Sequence, residues 1–332
     1  MALENINQFI RETTELSFKN MWSSDTVKEL CGKKVPDGIF HENQSILQAD
    51  ATTLWLRWFV ESVCSPTYYI EDTSKNEAHI YQDALININS AFPSSPKAYR
   101  EELAALISKK IYSDVKIERD IGRTFATSEQ KLKLISSTSE PRCWICGYKF
   151  TEEALDQFTK KKGRNPIKLP KLVDIFRPRG IHINDVRIDI EHVIPVSQGG
   201  QGDENLALGC GWCNRYKSSR TSIYDVTSKP YRVKFKLGEN TRYELPNPFW
   251  IVRMSATHQK CQHIDGCDKT VKSSELFISP ANNSGSPNPT NLKVFCSDHD
   301  PLAFERSVSR ESAKEIWANR RRKIIFDFNE EG

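Results

Sequence analysis

Two pairs of cysteines carry the spacing of metal ligands: Cys143-Trp-Ile-Cys146 and Cys210-Gly-Trp-Cys213. Two residues between thiolates let both bend onto one tetrahedral ion, and a second such pair completes the shell with no position open for catalysis. The spacing predicts a structural zinc site. The 63 residues between Cys146 and Cys210 exceed what an ordinary zinc ribbon encloses, so a further element is inserted between the knuckles. The insertion carries Asp189-Ile-Glu191-His192-Val-Ile-Pro195, then Gly199-Gly200 and Asn205-Leu206. The second pair runs on into Asn214-Arg-Tyr-Lys217.

In that order of elements the sequence resembles the HNH nuclease family: a cysteine pair, an acidic residue followed by His with Pro three further on, paired glycines, Asn-Leu, and a second cysteine pair followed by Asn and a basic residue. The match covers about a quarter of the chain. The resemblance implies a strand-hairpin-helix (ββα-metal) fold braced by a four-cysteine zinc, within an α+β protein. It also implies a metal-dependent endonuclease in which Glu191 and Asn214 are protein ligands of a catalytic ion, and Asn205 hydrogen-bonds across the loop to fix the backbone at His192. Two oxygen ligands with waters and phosphate suit Mg²⁺ or Mn²⁺. The family often has Asp where this chain has Glu191, and some members have His in place of Asn214, which leaves the preferred ion open.

Phosphodiester hydrolysis needs a base for the attacking water and positive charge against the phosphoryl oxygens. His192 suits the first need, because an imidazole with a pKa of about 6.5 is largely neutral at pH 7. Glu191 and His192 are adjacent and face opposite ways in an extended strand, so the strand must bend or end there, with the hairpin at 197–202 supplying the bend. Asp189, two residues before Glu191, is either a further metal ligand or support, and support is the favoured reading. Arg215, Lys217 and Arg220 follow Asn214 as candidate nucleic-acid contacts. Lys160-Lys-Lys162, Arg164, Lys168, Lys171, Arg177 and Arg179 precede the catalytic strand, in an insert that is either a DNA-reading element or a solvated loop.

Cys261, Cys267, Cys296 and His299 form a second candidate zinc group. Its Cys296-x₂-His299 pair is tight, but the first spacing of five is wider than usual. His263 is a possible replacement ligand and His258 a weaker one. The absence of an export signal and the paired cysteines argue for a reducing compartment. Cys31 and Cys64 are left over, and each reads as a small buried hydrophobe.

The elements that must position these residues divide the 332-residue chain into three predicted domains: 1–140, mainly helical; 141–225, the nuclease module; and 226–332, a β-hairpin, the second zinc knuckle and a basic closing helix over 309–328. Helices are predicted over 4–30, 49–64 and 97–112. In the second, Leu54, Trp55, Trp58, Phe59 and Val63 predict one buried aromatic stripe. Residues 226–252 have strand character: Tyr231, Val233, Phe235 and Leu237 alternate with Arg232, Lys234 and Lys236 before Gly238 turns the chain, giving a hairpin with one basic face. Residues 280–289, rich in Asn, Ser and Pro, read as a flexible stretch.

With 38% hydrophobic and 27% charged residues, the composition is that of a globular protein. Net charge is only +4, but residues 142–242 hold 19 Lys and Arg against 11 Asp and Glu, which concentrates the positive field around the candidate site. No apolar run of membrane length and no leader-like start is present, so a cytoplasmic protein is expected. The expected partner is DNA, double-stranded by preference, with a protein partner open to the N-terminal domain. A restriction-like or anti-phage role follows only by family analogy. A non-catalytic zinc-dependent nucleic-acid-binding protein is the alternative, as is an RNA nuclease, since the phosphodiester chemistry is shared.

Overall fold

The computed structural model describes residues 2–19, 21–39, 41–119, 126–159, 165–195 and 202–320. Helices fill the first part: α1 (Ala2–Ser17), α2 (Ser24–Cys31), α3 (Gln44–Val63), α4 (Pro66–Glu71), α5 (Glu77–Ala91), α6 (Lys97–Arg119) and α7 (Ser128–Ser136). The single helix expected over 4–30 is two, because Ser23 takes an extended backbone and starts α2 afresh. Local chemistry sets other boundaries. Asn76 and His79 close a capping box at α5, Pro66 occupies the first turn of α4, and Thr127 with Gln130 caps α7.

The rest is mixed: α8 (Glu152–Thr159), β1 (Leu172–Asp174), α9 (Ile183–Val186), β2 (Ile188–His192), β3 (Leu206–Cys210), α10 (Gly211–Lys217), β4 (Tyr231–Leu237), β5 (Asn240–Leu245), α11 (Pro248–His258), β6 (Leu276–Pro280), β7 (Leu292–Cys296), β8 (Ser307–Ser309) and α12 (Arg310–Asn319). The strands form four antiparallel pairs, β1 with β8, β2 with β3, β4 with β5 and β6 with β7. The protein is therefore α+β. The β4–β5 hairpin follows its alternation, with Val233, Phe235 and Leu237 buried and Arg232, Lys234 and Lys236 exposed. Strand character stops at Leu245. Asn247 caps Phe249 N and Pro248 starts α11, a helix that an Asn-Pro start signal foreshadows.

Buried side chains form two clusters. One gathers α4, α5 and α6 with the C-terminal end of α3, through Val60, Tyr69, Ile80, Ile88, Ile107 and Ile111. The other runs from Cys143 to Trp317 and spans both predicted domains beyond residue 140, so the hydrophobic core does not divide at 225. Helix α3 joins the two. Ile46 belongs to the larger cluster, Asp50 pairs with Arg253 at 2.6 Å and accepts from Ile223 N, while Val60 and Cys64 sit in the helical cluster. This shared role overturns the expected aromatic stripe. The face carrying Ile46, Asp50 and Val60 is buried at its two ends, and Trp55 (65% exposed), Trp58 (55%) and Phe59 (40%) lie off it. Cys31 is likewise exposed rather than buried, whereas Cys64 is buried as expected.

The segment 165–187 is anchored in the core rather than solvated throughout, while Lys168 and Lys171 remain exposed. Val173, Ile175 and Phe176 are buried, β1 pairs with β8, and Trp317 Nε1 donates to Ile175 O at 2.8 Å. Lys160-Lys-Lys162, Arg164 and Gly199-Gly200 lie outside the described residues, as do residues 321–332 of the expected closing helix. The 280–289 stretch is tied at its base, where Asn291 Nδ2 donates to Asn282 O and Ser286 O. No helix among the described residues is long and apolar enough to cross a membrane.

Candidate active site and metal centres

Cys143, Cys146, Cys210 and Cys213 converge, all four buried, with their sulfurs within 4.8 Å of one another. The first knuckle turns at Gly147 (φ +72°), where a Cβ would stand 2.0 Å from Ser274 O. The second turns at Gly211, where a Cβ would stand 1.8 Å from Asn184 O. Only glycine permits either approach. Trp144 N donates to Leu208 O, which locks the first knuckle onto β3 just before the second. Four buried thiols at mutual ligand distance fit tetrahedral zinc, as the spacing predicted.

Two arginines face these thiols. Arg179 Nη1 lies 3.5 Å from Cys146 Sγ and its Nη2 pairs with Glu275 at 2.5 Å, while Arg177 reaches Glu275 at 3.1 Å and donates to Leu276 O. Both were expected among the phosphate contacts. Instead Arg177 is buried and Arg179 largely so, because their charges are required inside. Burial opposes ionisation of Cys146, yet hydrogen bonds from the other three thiols and the Arg177 charge outweigh it and pull its pKa well below the ordinary value. Cys210 and Cys213 are pushed well above it by burial and by their fellow thiols. The Cys146 thiolate is stabilised, and Cys210 and Cys213 resist ionising beside it.

Cys261, Cys267, Cys296 and His299 also converge. His299 Nδ1 lies 3.6 Å from Cys261 Sγ and 3.4 Å from Cys296 Sγ, and Cys267 Sγ is 4.0 Å from Cys296 Sγ. This donor set also fits zinc, despite its wider first spacing. His263 replaces no ligand, since its ring stacks on that of His299 at 3.9 Å. His258 bonds instead to Asn43 Oδ1 at 2.8 Å.

Strands β2 and β3 lie after the first knuckle and form an antiparallel pair followed at once by α10, which carries Cys213 of the second knuckle. The register pairs Ile188 with Cys210 and His192 with Leu206, so the second knuckle starts where the hairpin ends. Strand β2 stops at His192, as adjacency of Glu191 and His192 required. Residues 196–201, most of the proposed hairpin bend, lie outside the described residues. Asn205 clamps the chain just beyond the strand: its Nδ2 donates to Ile194 O and its Oδ1 accepts from Ile194 N, both at 2.8 Å. Its own carbonyl accepts from Val193 N. The clamp therefore grips Val193 and Ile194 rather than His192 itself.

Asn214 Nδ2 donates to Asp189 Oδ2 at 3.0 Å, and Lys217 Nζ pairs with Glu191 Oε1 at 2.6 Å and donates to His192 O at 2.8 Å. This corrects the expectation for Lys217, a buried residue whose ammonium faces Glu191 and not the surface. Arg215 is exposed and pairs with Asp185, and Arg220 is half-buried beneath Tyr216 O, so these two alone of the three reach solvent. The sequence offered a signal for the ion pair, since Lys217 follows Asn214 by nearly one turn, but it named no partner. Burial pushes the Glu191 pKa up against the hydrogen bond and charge of Lys217. Burial, then the Lys217 charge, lowers that of His192. His192 is thus held as a neutral imidazole at pH 7, in a state to accept a proton.

The oxygens that would meet a divalent ion are Glu191 Oε2 and Asn214 Oδ1, neither hydrogen-bonded among the described residues, and Asp189 Oδ1, whose nearest cation is Arg187 at 4.0 Å. Hard oxygen donors with unused lone pairs fit Mg²⁺ or Mn²⁺ chemically. No family model, curated protein or solved structure matches this chain.

Proposed function

We propose that this chain is a metal-dependent HNH endonuclease that hydrolyses phosphodiester bonds of DNA. The observation that carries this reading is the β2–β3–α10 unit. It ends a strand at neutral His192, clamps the following turn through Asn205, and sets Asn214, just past the second cysteine knuckle, beside Asp189. His192 takes a proton from the attacking water. The Asn205 clamp holds the turn after it, so the imidazole keeps one orientation. Glu191, Asn214 and Asp189 would hold the catalytic Mg²⁺ or Mn²⁺, which supplies positive charge against the phosphoryl oxygens. Lys217 holds Glu191 in place and, after burial, adds to the lowering of the His192 pKa, which leaves the resting imidazole neutral. Arg215 and Arg220 reach the phosphate backbone from α10 and its C-terminal end.

A second reading has its own support. The Lys217–Glu191 pair is complete and buried at both ends, about 8% exposed on each side chain, as in a structural ion pair of a non-catalytic nucleic-acid-binding zinc protein. One experiment separates the two. Nicking of supercoiled plasmid and cleavage of structured RNA are measured across a Mg²⁺ titration for parent and His192→Ala, with zinc quantified in both. A positioned base contributes roughly 10²–10⁴-fold, and His192→Ala should lose that factor in plasmid cutting at parental zinc content. Parent-like cutting by the zinc-replete variant sinks the choice of base, and cutting of RNA alone replaces DNA as substrate. No cutting by the parent leaves the binding protein.

A further inference from the structure

An open groove of about 1120 Å³ runs along the β4–β5 hairpin, on elements separate from the β2–β3–α10 unit, and its far wall is the loop 283–287. Lys229, Arg232, Lys234 and Arg242 line it against a single carboxylate, Glu244. Arg242 donates to Asn283 O and ties hairpin to loop. The other three cations are exposed and have no ion-pair partner among the described residues, although Glu244 stands directly across the ladder from Arg232. Some exposed cations elsewhere are paired, as Lys149 is with Glu140 and Lys110 with Asp114, and others, such as Lys109 and Lys272, have no ion pair among the described residues. What sets the groove apart is four cations gathered on one concave surface with a single carboxylate. Aromatic surface lies among the charges: Tyr243 is 62% exposed, and half-buried Tyr231 carries Arg320 5.2 Å from its ring centre. The walls are firm, because Val233, Phe235 and Leu237 root the hairpin in the core.

An ordinary solvated basic face would be convex, with its cations dispersed. This surface is concave, carries unpaired cations and exposes an aromatic ring, the combination by which proteins hold single-stranded nucleic acid: cations follow the phosphates and rings stack on bases. A B-form duplex keeps its bases stacked on one another and offers no free base faces to such a ring. We infer that the β4–β5 groove binds a single strand of nucleic acid. The occupant goes beyond the nuclease reading, and the groove is tested by binding alone.

Fluorescence anisotropy of 5′-fluorescein-labelled dT₁₂ is titrated with full-length protein in Mg²⁺-free buffer over a range of NaCl concentrations. The parent, Lys229→Glu/Arg232→Glu/Lys234→Glu, Tyr243→Ala and His192→Ala are compared, with zinc content and melting confirming the fold of each. The charge reversal should weaken binding at least tenfold at low salt and reduce the slope of log K against log salt by about two, since each phosphate contact on a single strand contributes roughly 0.7. Tyr243→Ala should weaken binding about tenfold at an unchanged slope, as loss of one stacked base does. His192→Ala should bind like the parent. A failed plasmid assay beside these results leaves the groove standing and removes only the nuclease reading. The groove assignment is overturned if the parent does not bind dT₁₂, or if both groove variants bind it with parental affinity and slope. Preference for a duplex of the same length, or for a fluorescent poly-glutamate peptide, overturns it too.

Discussion

The two cysteine groups follow different electrostatic plans. The first has four buried thiols joining segments 64 residues apart, and two arginines bearing on them, with Glu275 between those arginines. The second has three thiols and an imidazole, two of its four ligands partly exposed, and a further imidazole stacked on its histidine. Zinc on four thiolates keeps an excess of two negative charges, and zinc on three thiolates and a neutral imidazole keeps one. Buried excess charge is costly unless it is paired. The first site therefore needs Arg177 and Arg179 in the interior, and the second tolerates neutral neighbours. The difference also tracks position. The first group brackets the candidate chemistry, so whatever loosens it moves β2, β3 and α10, whereas the second closes a knuckle around the β6–β7 pair.

The largest effects should come from the ligands themselves. Cys210→Ser should lower zinc content from two ions to one and expose the β2–β3–α10 unit to proteolysis, because structural zinc contributes roughly 10–16 kcal/mol of folding free energy at neutral pH. Cys267→Ser, at the half-exposed ligand, should lose the other ion while the first unit keeps its protease resistance. Zinc by mass spectrometry and limited proteolysis check both. Equal damage from the two substitutions would mean that the two sites do not differ in this way.

Next in size is the arginine pair. Arg177→Met removes a charge facing Cys146 and leaves Glu275 with one partner fewer, which should cost about 3–5 kcal/mol, the usual result of breaking a buried ion pair. Thermal melting should show the loss, and competition with a colorimetric chelator should release one zinc faster while the second leaves at the parental rate. Adding Glu275→Gln should restore part of the stability. Faster loss of both ions would mean that Arg177 supports the fold as a whole and not the first site.

These arginines mark where sequence reading stopped. The cysteine pairs and the β4 alternation were legible because each depends on local spacing, and a clamp by Asn205 was legible as a motif, though it grips Ile194 rather than His192. Arg177 and Arg179 read as surface cations because their partner, Glu275, lies 98 and 96 residues further on. Lys217 read as a phosphate contact for the same reason, its partner being Glu191 on a different element. The aromatic residues of α3 read as core because helical periodicity identifies an apolar face without saying that two separate cores share the helix by its ends.

Asn205 should show a smaller effect on stability and a larger one on the candidate chemistry. Asn205→Ala removes two exposed hydrogen bonds to Ile194, worth roughly 1 kcal/mol or less each. Melting should shift slightly and zinc content stay at two. Plasmid cutting should fall by at least tenfold, because a small displacement of a reacting group costs about that much or more. An unchanged cutting rate would show that the turn after His192 holds its shape without the clamp.

The smallest effect separates the two regions by pH. Beside the second site, Val294 N donates to Gln262 Oε1, which turns the amide NH₂ of Gln262 toward Glu42 and toward His258 Nδ1 at 3.4 Å. Asn43 Nδ2 donates to Pro289 O and Leu292 O, so its Oδ1 faces His258 Nε2. His258 must then carry its proton on Nε2 and accept on Nδ1. A second proton would point Nδ1 at another donor. Burial lowers the His258 pKa, against the opposing charge of Glu42. The unfolded chain, with its histidine near pKa 6.5, therefore takes up that proton first as the solution is acidified. The contribution of neutral His258 is complete above that pH and is lost progressively as pH falls below it. Acidifying from pH 7.5 to 5.5 should lower the melting midpoint, with each kcal/mol lost worth about 2 °C in a chain of this size. His258→Gln, which keeps an amide N–H for Asn43 Oδ1 and has no proton to gain, should flatten that part of the pH dependence. Zinc release from the four-cysteine site should be no faster in this variant than in the parent at pH 7.5. If His258→Gln melts with the parent's pH dependence, the neutral imidazole is not what holds α3 to α11 and β7.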